Sequence, residues 1–573
     1  MATFDELVNQ IDSNLDNQRD RGTAFEKMVV AYLKNEPTYK QKFSDVWMLN
    51  EVPEKYGIPK RDLGVDIVAR DYAGNLTAVQ AKYYKGKVGK ATINSFVAEM
   101  GKDYYSAGLL VSSTDEWNRN AEAALENNTK PITRIGLSQL RHANIDWQKF
   151  SFAKENTLLT KKGRTPFPYQ STAINKAVAY FKTHDRGKLI MAPGTGKTFT
   201  SLKIAEALME DQGKTKFNVL YLVPSIQLLS QTLFNWNNDI SSSIHMTSFS
   251  VVSDSKANKK KSRNNDDLGA KDIGAEPTTN VDQLMNNYKA SLSSKFGKDM
   301  TVVFSTYQSI NVIHEAQKVG YPEFDLIVAD EAHRTTGYAK LGQDTAFTEV
   351  HSNKNVKSKL RLYQTATPKI YMESAKHKAS KNNVEVFSMD DPARYGEEIY
   401  RLGFGKAVSM GRLTDYKVVV LAVNESYVNR NMQNAMKQLD PHDIGKIIGV
   451  WNAMVKRNGI TGEITGAPMK RAIAFTDNIK HSKVITEEFE KVVNEYLDTR
   501  SAESFKVDIK HVDGKLNALQ KEEAIDWLAD DNIEDNRARI LSNVRFLTEG
   551  IDVPNLDAII FFSPAVCKIK LEK

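Results

Sequence analysis

Apolar positions in the first ~150 residues change period twice. Asp5 to Ala31 has helical spacing, Val65 to Ala69 and Leu76 to Tyr83 read as strands, and Ala91 to Tyr105 turns helical again. A polar stretch with two prolines, Thr160-Lys-Lys-Gly-Arg-Thr-Pro-Phe-Pro168, marks a boundary. Beyond it, short β-rich runs alternate with helices, at Lys188–Ala192, Val219–Val223, Val302–Ser305, Leu326–Ala329 and Leu362–Thr365. Such alternation predicts a parallel sheet covered by helices on both faces. A second series follows Asp415, at Lys417–Val423, Ala472–Thr476, Val507–His511, Ile540–Asn543 and Ala558–Phe562. An α/β chain is expected, with one N-terminal domain and two tandem α/β lobes, over 1–157, 158–385 and 386–573. A polar insert from about Asp239 to Met300 carries Lys256-Ala-Asn-Lys-Lys-Lys-Ser-Arg263, which reads either as a solvated loop or as a DNA-touching one.

A chain of 573 residues is too long for one hydrophobic core, which agrees with this division. No apolar run approaches the ~20 residues of a membrane span, and the opening MATFDELVNQIDSN is polar and acidic, without the look of a secretory signal. The lone cysteine, Cys567, excludes an internal disulfide framework and a zinc site built on cysteine pairs. A reducing, cytoplasmic setting is expected. The net charge of +7 is compatible with a polyanionic partner but selects none.

Two segments carry phosphoryl-transfer chemistry. Met191-Ala-Pro-Gly-Thr-Gly-Lys-Thr198 follows a predicted strand and opens a helix. Gly194 and Gly196 let the backbone approach phosphates, and the N–H groups through Thr195 at the helix N-terminus cradle the anion. Lys197 then reaches the β/γ-phosphates of ATP and the Thr198 hydroxyl holds Mg²⁺. Met191 stands where the strict pattern has glycine. Phe324-Asp-Leu-Ile-Val-Ala-Asp-Glu-Ala-His333 is a buried strand ending in two carboxylates. Asp330 suits Mg²⁺ and Glu331 suits polarisation of the attacking water. A chance Gly-Lys-Thr match explains the first segment alone and an acidic helix cap the second; both in one lobe point to an ATPase.

Asp330-Glu-Ala-His333 resembles the second signature motif of superfamily 2 helicases and translocases, and further signatures follow in order. Pro168-Tyr-Gln170 resembles the adenine-reading glutamine motif. Pro224 and Ser225 in Val223-Pro-Ser225, and Thr306 in Ser305-Thr-Tyr-Gln308, resemble motifs that grip the DNA backbone. Thr365-Ala-Thr367-Pro368 resembles the motif coupling ATP to DNA. Ala474-Phe-Thr476, His511-Val-Asp-Gly514 and Thr548-Glu-Gly550-Ile-Asp552-Val-Pro554 match the later motifs. The resemblance spans about residues 160 to 564. It implies two RecA-like lobes that bind ATP and Mg²⁺ through Gln170, the phosphate loop, Asp330, His333, Gly550 and Asp552. It implies DNA contacts from Pro224, Ser225, Thr306, Thr365, Thr367, Thr476 and Thr548. Hydroxyls and backbone N–H groups of that kind bind phosphate without reading sequence.

After Phe561-Phe-Ser-Pro564 the family continues into a helix with glutamine and arginine residues, whereas this sequence runs to Lys573 without an arginine. The expectation is a truncated second lobe that binds ATP and hydrolyses it poorly.

In the N-terminal domain, Asp62-Leu-Gly-Val-Asp66 precedes Leu76-Thr-Ala-Val-Gln-Ala-Lys82. Gln80 and Lys82 share one strand face, and a hairpin brings Asp66 beside them. A metal-bound water and a cation suffice for phosphodiester hydrolysis. The arrangement resembles the Mrr-like branch of the PD-(D/E)xK nucleases, with an α/β/α restriction-endonuclease-like fold. In that branch glutamine replaces the second acid, and Glu26 in Gly22-Thr-Ala-Phe-Glu-Lys27 matches an additional acidic ligand. A surface hairpin with ordinary charges is the plain alternative. The downstream Lys82-Tyr-Tyr-Lys-Gly-Lys-Val-Gly-Lys90, basic with interleaved aromatics, suits a phosphate surface or a solvated turn.

An Mrr-like nuclease joined to a superfamily 2 motor resembles the N-terminal half of the Type ISP single-polypeptide restriction–modification enzymes. That resemblance implies ATP-driven movement on double-stranded DNA, cleavage by the nuclease, and methyltransferase and target-recognition domains or subunits outside this chain. A repair or plasmid helicase–nuclease, and a remnant that binds without turnover, are the other readings.

Overall fold

A computed structural model describes residues 4–562, apart from 62–63, 85, 126–127, 142, 153–162, 253–276, 279, 293–295, 341–344, 383, 416–438, 459–460, 462, 499–504, 514–517, 531 and 545–555. The described residues up to Asp415 form one compact unit and those after it a second.

The first domain is built on a five-stranded mixed sheet. Its strands β1 (Phe43–Met48), β2 (Ile67–Asp71), β3 (Leu76–Lys82), β4 (Ala107–Ser112) and β5 (Ile132–Ile135) lie in sequence order. β1, β2 and β3 pair antiparallel, while β3, β4 and β5 pair parallel. The long helix Gln18–Asn35 lays Phe25, Met28 and Val29 on the sheet face that carries Val79 and Ala81. The opposite face, with Val68 and Ala78, is covered by Ile93 and Phe96 of the helix Lys90–Met100. Burial on both faces leaves little alternation in β3, since every residue from Leu76 to Ala81 is buried.

The first lobe carries β6 (Arg186–Met191), β7 (Lys216–Val223), β8 (His245–Val251), β9 (Pro277–Thr278), β10 (Asp299–Thr306), β11 (Phe324–Ala329), β12 (Gly337–Lys340), β13 (Ser358–Thr365), β14 (Val384–Phe387) and β15 (Glu397–Leu402). Eight of them make one sheet in the order β15-β6-β13-β11-β7-β10-β8-β9, and every pair is parallel. β12 and β14 form a separate antiparallel pair. Two differences from the sequence expectation follow. The first lobe does not end at 385, because β15 completes its sheet against β6; its exposed, charged positions Glu397, Glu398 and Arg401 hide an edge strand from any hydropathy reading. The insert from 239 to 300 is not simply a loop, because it contains β8, β9 and the helix Val281–Ser291; its Lys256–Arg263 run lies outside the described residues.

The first domain docks directly on this lobe. The His245 ring stacks on Phe296 with centroids 3.5 Å apart, and Tyr72 meets both rings edge-on. The two nitrogens of His245 lie 3.0 Å from Asp299 Oδ1 and 2.9 Å from the Gln41 carbonyl oxygen. Phe234 packs against the core of the first domain.

The second unit has four parallel strands, β16 (Arg471–Phe475), β17 (Lys506–His511), β18 (Arg537–Asn543) and β19 (Ala558–Phe561), in the order β17-β18-β16-β19. The helices Pro441–Met454 and Ile479–Asp498 close one face through Ile447, Trp451, Phe489 and Tyr496. The expected strand at 417–423 lies outside the described residues. Among the described residues no helix is long and apolar enough to cross a membrane.

His351 illustrates the chemistry of the first-lobe core. Its Nδ1 is 3.0 Å from the Tyr363 hydroxyl and its Nε2 3.3 Å from the Thr335 carbonyl oxygen. Burial, aided by the guanidinium groups of Arg394, Arg361 and Arg186 and opposed by the Thr335 bond, holds its pKa down to about 3. An unfolded histidine takes up a proton below about pH 6.5, whereas the folded one resists until about pH 3, so this residue withdraws stability as pH falls through that window. His351→Gln should flatten that part of the pH dependence, read as the wild-type minus variant difference in denaturation midpoint from pH 7 to pH 4.

Candidate active sites

Glycine conformation shapes the phosphate loop between β6 and the helix Lys197–Asp211. Gly194 and Gly196 sit at φ 75° and 81°, the left-handed region that other residues avoid. A Cβ on Gly196 would lie 2.5 Å from Gln170 Nε2. Gln170 is buried and braces the loop: its Nε2 donates to the Thr195 carbonyl at 3.1 Å and its Oε1 accepts from the Phe167 N–H at 2.9 Å. The Tyr169 hydroxyl donates to the same carbonyl, and the Thr195 hydroxyl closes the turn on the Ala192 carbonyl at 2.6 Å.

β11 delivers Asp330 and Glu331 at its C-terminal end, where open parallel sheets place their ligands. Asp330 Oδ1 accepts from the Glu331 N–H at 2.8 Å, and Oδ2 from the Tyr221 hydroxyl at 3.2 Å. The Tyr307 hydroxyl holds the Asp330 carbonyl at 2.7 Å. Burial pushes the Asp330 carboxyl up to about 6, with Glu331 adding to the rise and Lys197 opposing it. For Glu331 burial acts in the same direction, but the His333 hydrogen bond and the charges of Lys197, His333 and Arg334 outweigh it and hold the carboxyl low. Lys197 therefore acts on both carboxylates. Glu331 itself stands at φ 47°, ψ 47°, a left-handed conformation that costs about 1–3 kcal/mol in a non-glycine residue and persists where surrounding structure enforces it. His333 Nδ1 lies 3.3 Å from Glu331 Oε2 and 3.0 Å from Thr365 Oγ1, which joins the carboxylate strand to β13.

The other motif residues of this lobe stand at strand ends. Pro224 is buried, and its carbonyl accepts from Gln308 Nε2. Ser225 caps the helix Ile226–Asp239 through the Leu228 N–H. Thr306 and Thr365 are buried, with hydroxyls turned to Ser309 and His333; Thr367 is exposed. In the second unit Thr476 is fully buried, and its hydroxyl donates to the Asn478 and Asn543 carbonyls. Thr548, Gly550 and Asp552 lie outside the described residues.

In the first domain the β2–β3 hairpin brings Asp66, Gln80 and Lys82 together. The Asp66 N–H donates to the Val79 carbonyl, and its Oδ2 accepts from the Ala81 N–H at 2.9 Å. Lys82 Nζ is 3.8 Å from that same oxygen. Gln80 is 1% exposed; its Nε2 donates to the Gly64 carbonyl at 2.7 Å, while its Oε1 is buried without a hydrogen-bond partner. Glu26 is half-buried on the helix Gln18–Asn35, which covers the opposite sheet face. Among the described residues no three His, Cys, Asp or Glu side chains gather as a metal site. Asp62 lies outside them.

Tyr221 and Gln364 are functional candidates that the motif reading passed over. Tyr221 disappears into an apolar strand run, whereas Gln364 carries a signal, an amide in a strand whose neighbours are all buried.

A family described as restriction endonuclease matches residues 34–157, the Type III restriction enzyme res subunit matches 164–370, and the helicase conserved C-terminal domain matches 456–570. The ATP-dependent Type ISP restriction-modification enzyme LlaBIII, solved bound to DNA, is 52% identical with a TM-score of 0.84, covering 98% of this chain and 36% of that one. This chain is a Type ISP restriction enzyme homologue. The homologue is also 26% identical over 400 residues to the probable helicase A859L of African swine fever virus (isolate Tick/Malawi/Lil 20-1/1983), covering 69% of this chain and 37% of that one. To the Type I restriction enzyme EcoAI endonuclease subunit of Escherichia coli it is 27% identical over 293 residues, 48% of this chain and 27% of that one. The Type ISP homologue thus spans little more than a third of the length of LlaBIII and of A859L and about a quarter of the EcoAI subunit, and it carries a nuclease domain and paired helicase domains.

Gly196→Ala forces a left-handed alanine against Gln170. It should weaken nucleotide binding by about tenfold or more, the equivalent of ~1–2 kcal/mol of backbone strain. Titration with a fluorescent ATP analogue, alongside an unchanged circular dichroism spectrum, measures this.

Proposed function

We propose that this chain hydrolyses ATP to drive movement along double-stranded DNA and cuts the DNA with its first domain, in the restriction of foreign DNA. One observation carries the reading: Lys197 acts electrostatically on Asp330 and Glu331 together, beside a loop whose glycines leave room for phosphate. The residues fit a magnesium nucleotide, since a buried carboxyl held up by desolvation and a neighbouring acid gains from a divalent cation. Gly194, Thr195, Gly196 and Lys197 would hold the phosphates, and Thr198 and Asp330 the Mg²⁺, which supplies charge neutralisation when bound. Glu331, kept ionised by His333 and Lys197, is the group that accepts a proton from the attacking water. Gln170 braces the loop beneath the nucleotide. The His333–Thr365 bond links the carboxylates to β13, whose end carries Thr367. Pro224, Ser225, Thr306, Thr365, Thr367 and Thr476 stand at strand and loop ends and are assigned with Thr548 to the DNA backbone, and Gly550 and Asp552 are assigned to nucleotide on the family resemblance.

In the first domain the orphaned Gln80 Oε1 beside Asp66 fits a divalent cation; Glu26, on the helix over the opposite sheet face, is an added ligand only by the family resemblance. Lys82 is placed to hold negative charge on the phosphate undergoing attack. The nuclease takes 1–157 and the first lobe begins at 158, with β15 carrying it past 385 towards Asp415. Methyltransferase and target-recognition parts of the kind implied by the restriction-modification relatives would supply site choice, and the cytoplasm is where such DNA is met.

Lys197→Ala and Glu331→Gln should each lower DNA-stimulated ATP turnover at least about a hundredfold, with Glu331→Gln retaining nucleotide binding. Asp66→Ala and Lys82→Ala should abolish Mg²⁺-dependent cleavage and leave that turnover intact. Cleavage surviving both nuclease changes removes the first assignment, and turnover surviving both motor changes removes the second.

A further inference from the structure

We propose that Tyr221 and Gln364 are positioning residues that aim Asp330 at the metal of the ATP site. The inference rests on the reading of that site as a magnesium–nucleotide centre and adds the groups that orient its ligands.

Tyr221 is fully buried on β7, between the phosphate-loop helix and the carboxylate strand. Its hydroxyl lies 3.2 Å from Asp330 Oδ2 and receives Gln364 Nε2 at 2.6 Å. Gln364 is fully buried on β13.

Donor and acceptor counting fixes the direction of these bonds. An amide nitrogen only donates, so the Gln364 NH₂ enters a lone pair of the phenol oxygen. The phenol has one proton, and Asp330 is its acceptor. The prospective metal ligand Asp330 is thus held by a phenol, and the phenol by a single amide. Gln364 Oε1 is buried without a partner, so this contact alone orients the amide. Gln364 also precedes Thr365, the residue bonded to His333, so a shift of β13 reaches the metal ligand by two routes.

A merely structural network predicts lost stability, whereas a positioning role predicts a selective loss of the metal contribution to nucleotide affinity. The test titrates the full 573-residue chain with a fluorescent ATP analogue, once with MgCl₂ and once with EDTA. The ratio of the two Kd values isolates the metal contribution. Tyr221→Phe should lower that ratio about 10- to 100-fold, the range seen when groups that orient metal ligands are removed, and leave the EDTA value unchanged. Gln364→Met should act in the same direction, and the double variant should be no worse than Tyr221→Phe, because both changes break one chain of bonds. An unchanged ratio, or an equal loss with and without magnesium, overturns the proposal. Should Tyr221→Phe fail to fold, Gln364→Met carries the same comparison. A wild-type chain without magnesium-dependent affinity overturns the ATP-site reading itself, a distinct result visible before any variant is made.

Discussion

Two adjacent carboxylates at the end of a buried parallel strand are the constraint around which the first lobe is organised. An isolated charge at a site like that of Asp330 loses several kcal/mol of hydration, and a second acid beside it makes matters worse. The fold answers with Lys197 from the phosphate loop, His333 and Arg334 from the following turn, and the phenol and amide of Tyr221 and Gln364. These partners come from β7, β11, β13 and the helix after β6, so the sheet order β6-β13-β11-β7 is what brings them together. The compensation remains incomplete, as the raised pKa of Asp330 records. A site left short of positive charge is one that a divalent cation stabilises.

The nuclease candidate uses the same economy of design with different groups. Asp66 terminates the pairing of β2 with β3 by letting its carboxylate accept the Ala81 N–H, so the side chain substitutes for a backbone carbonyl. That bond fixes the carboxylate beside Gln80, whose Oε1 is left buried and unmatched. An unmatched buried acceptor costs about 1–3 kcal/mol and is retained where a ligand completes it. Lys82 sits one strand repeat further along the same face, half in solvent, where a phosphate is accessible.

How much of this the amino-acid order discloses depends on whether a position is fixed by local or by distant partners. Gly194 and Gly196 are legible because only their type tolerates the backbone they adopt, and the Asp66–Lys82 grouping is legible because one short hairpin creates it. The strands at Arg186–Met191, Lys216–Val223 and Phe324–Ala329 announce themselves by apolar content. β15 does not, since an edge strand pairs on one side only and spends its side chains on solvent. Tyr221 and Gln364 are separated by 143 positions and meet only after β11 has been laid between their strands. No local pattern encodes such a meeting.

The first domain is docked on the first lobe through an aromatic contact. Tyr72 of the first domain meets His245 and Phe296 of the lobe edge-on, and those two rings stack on each other; such pairs are directional and worth about 0.5–1.5 kcal/mol each beyond the area they bury. His245 begins β8, which lies in the same sheet as β7 and β11, with β10 between β8 and β7. The residue that receives Tyr72 is therefore joined by backbone ladders, through β10 and β7, to the strand that delivers Asp330 and Glu331.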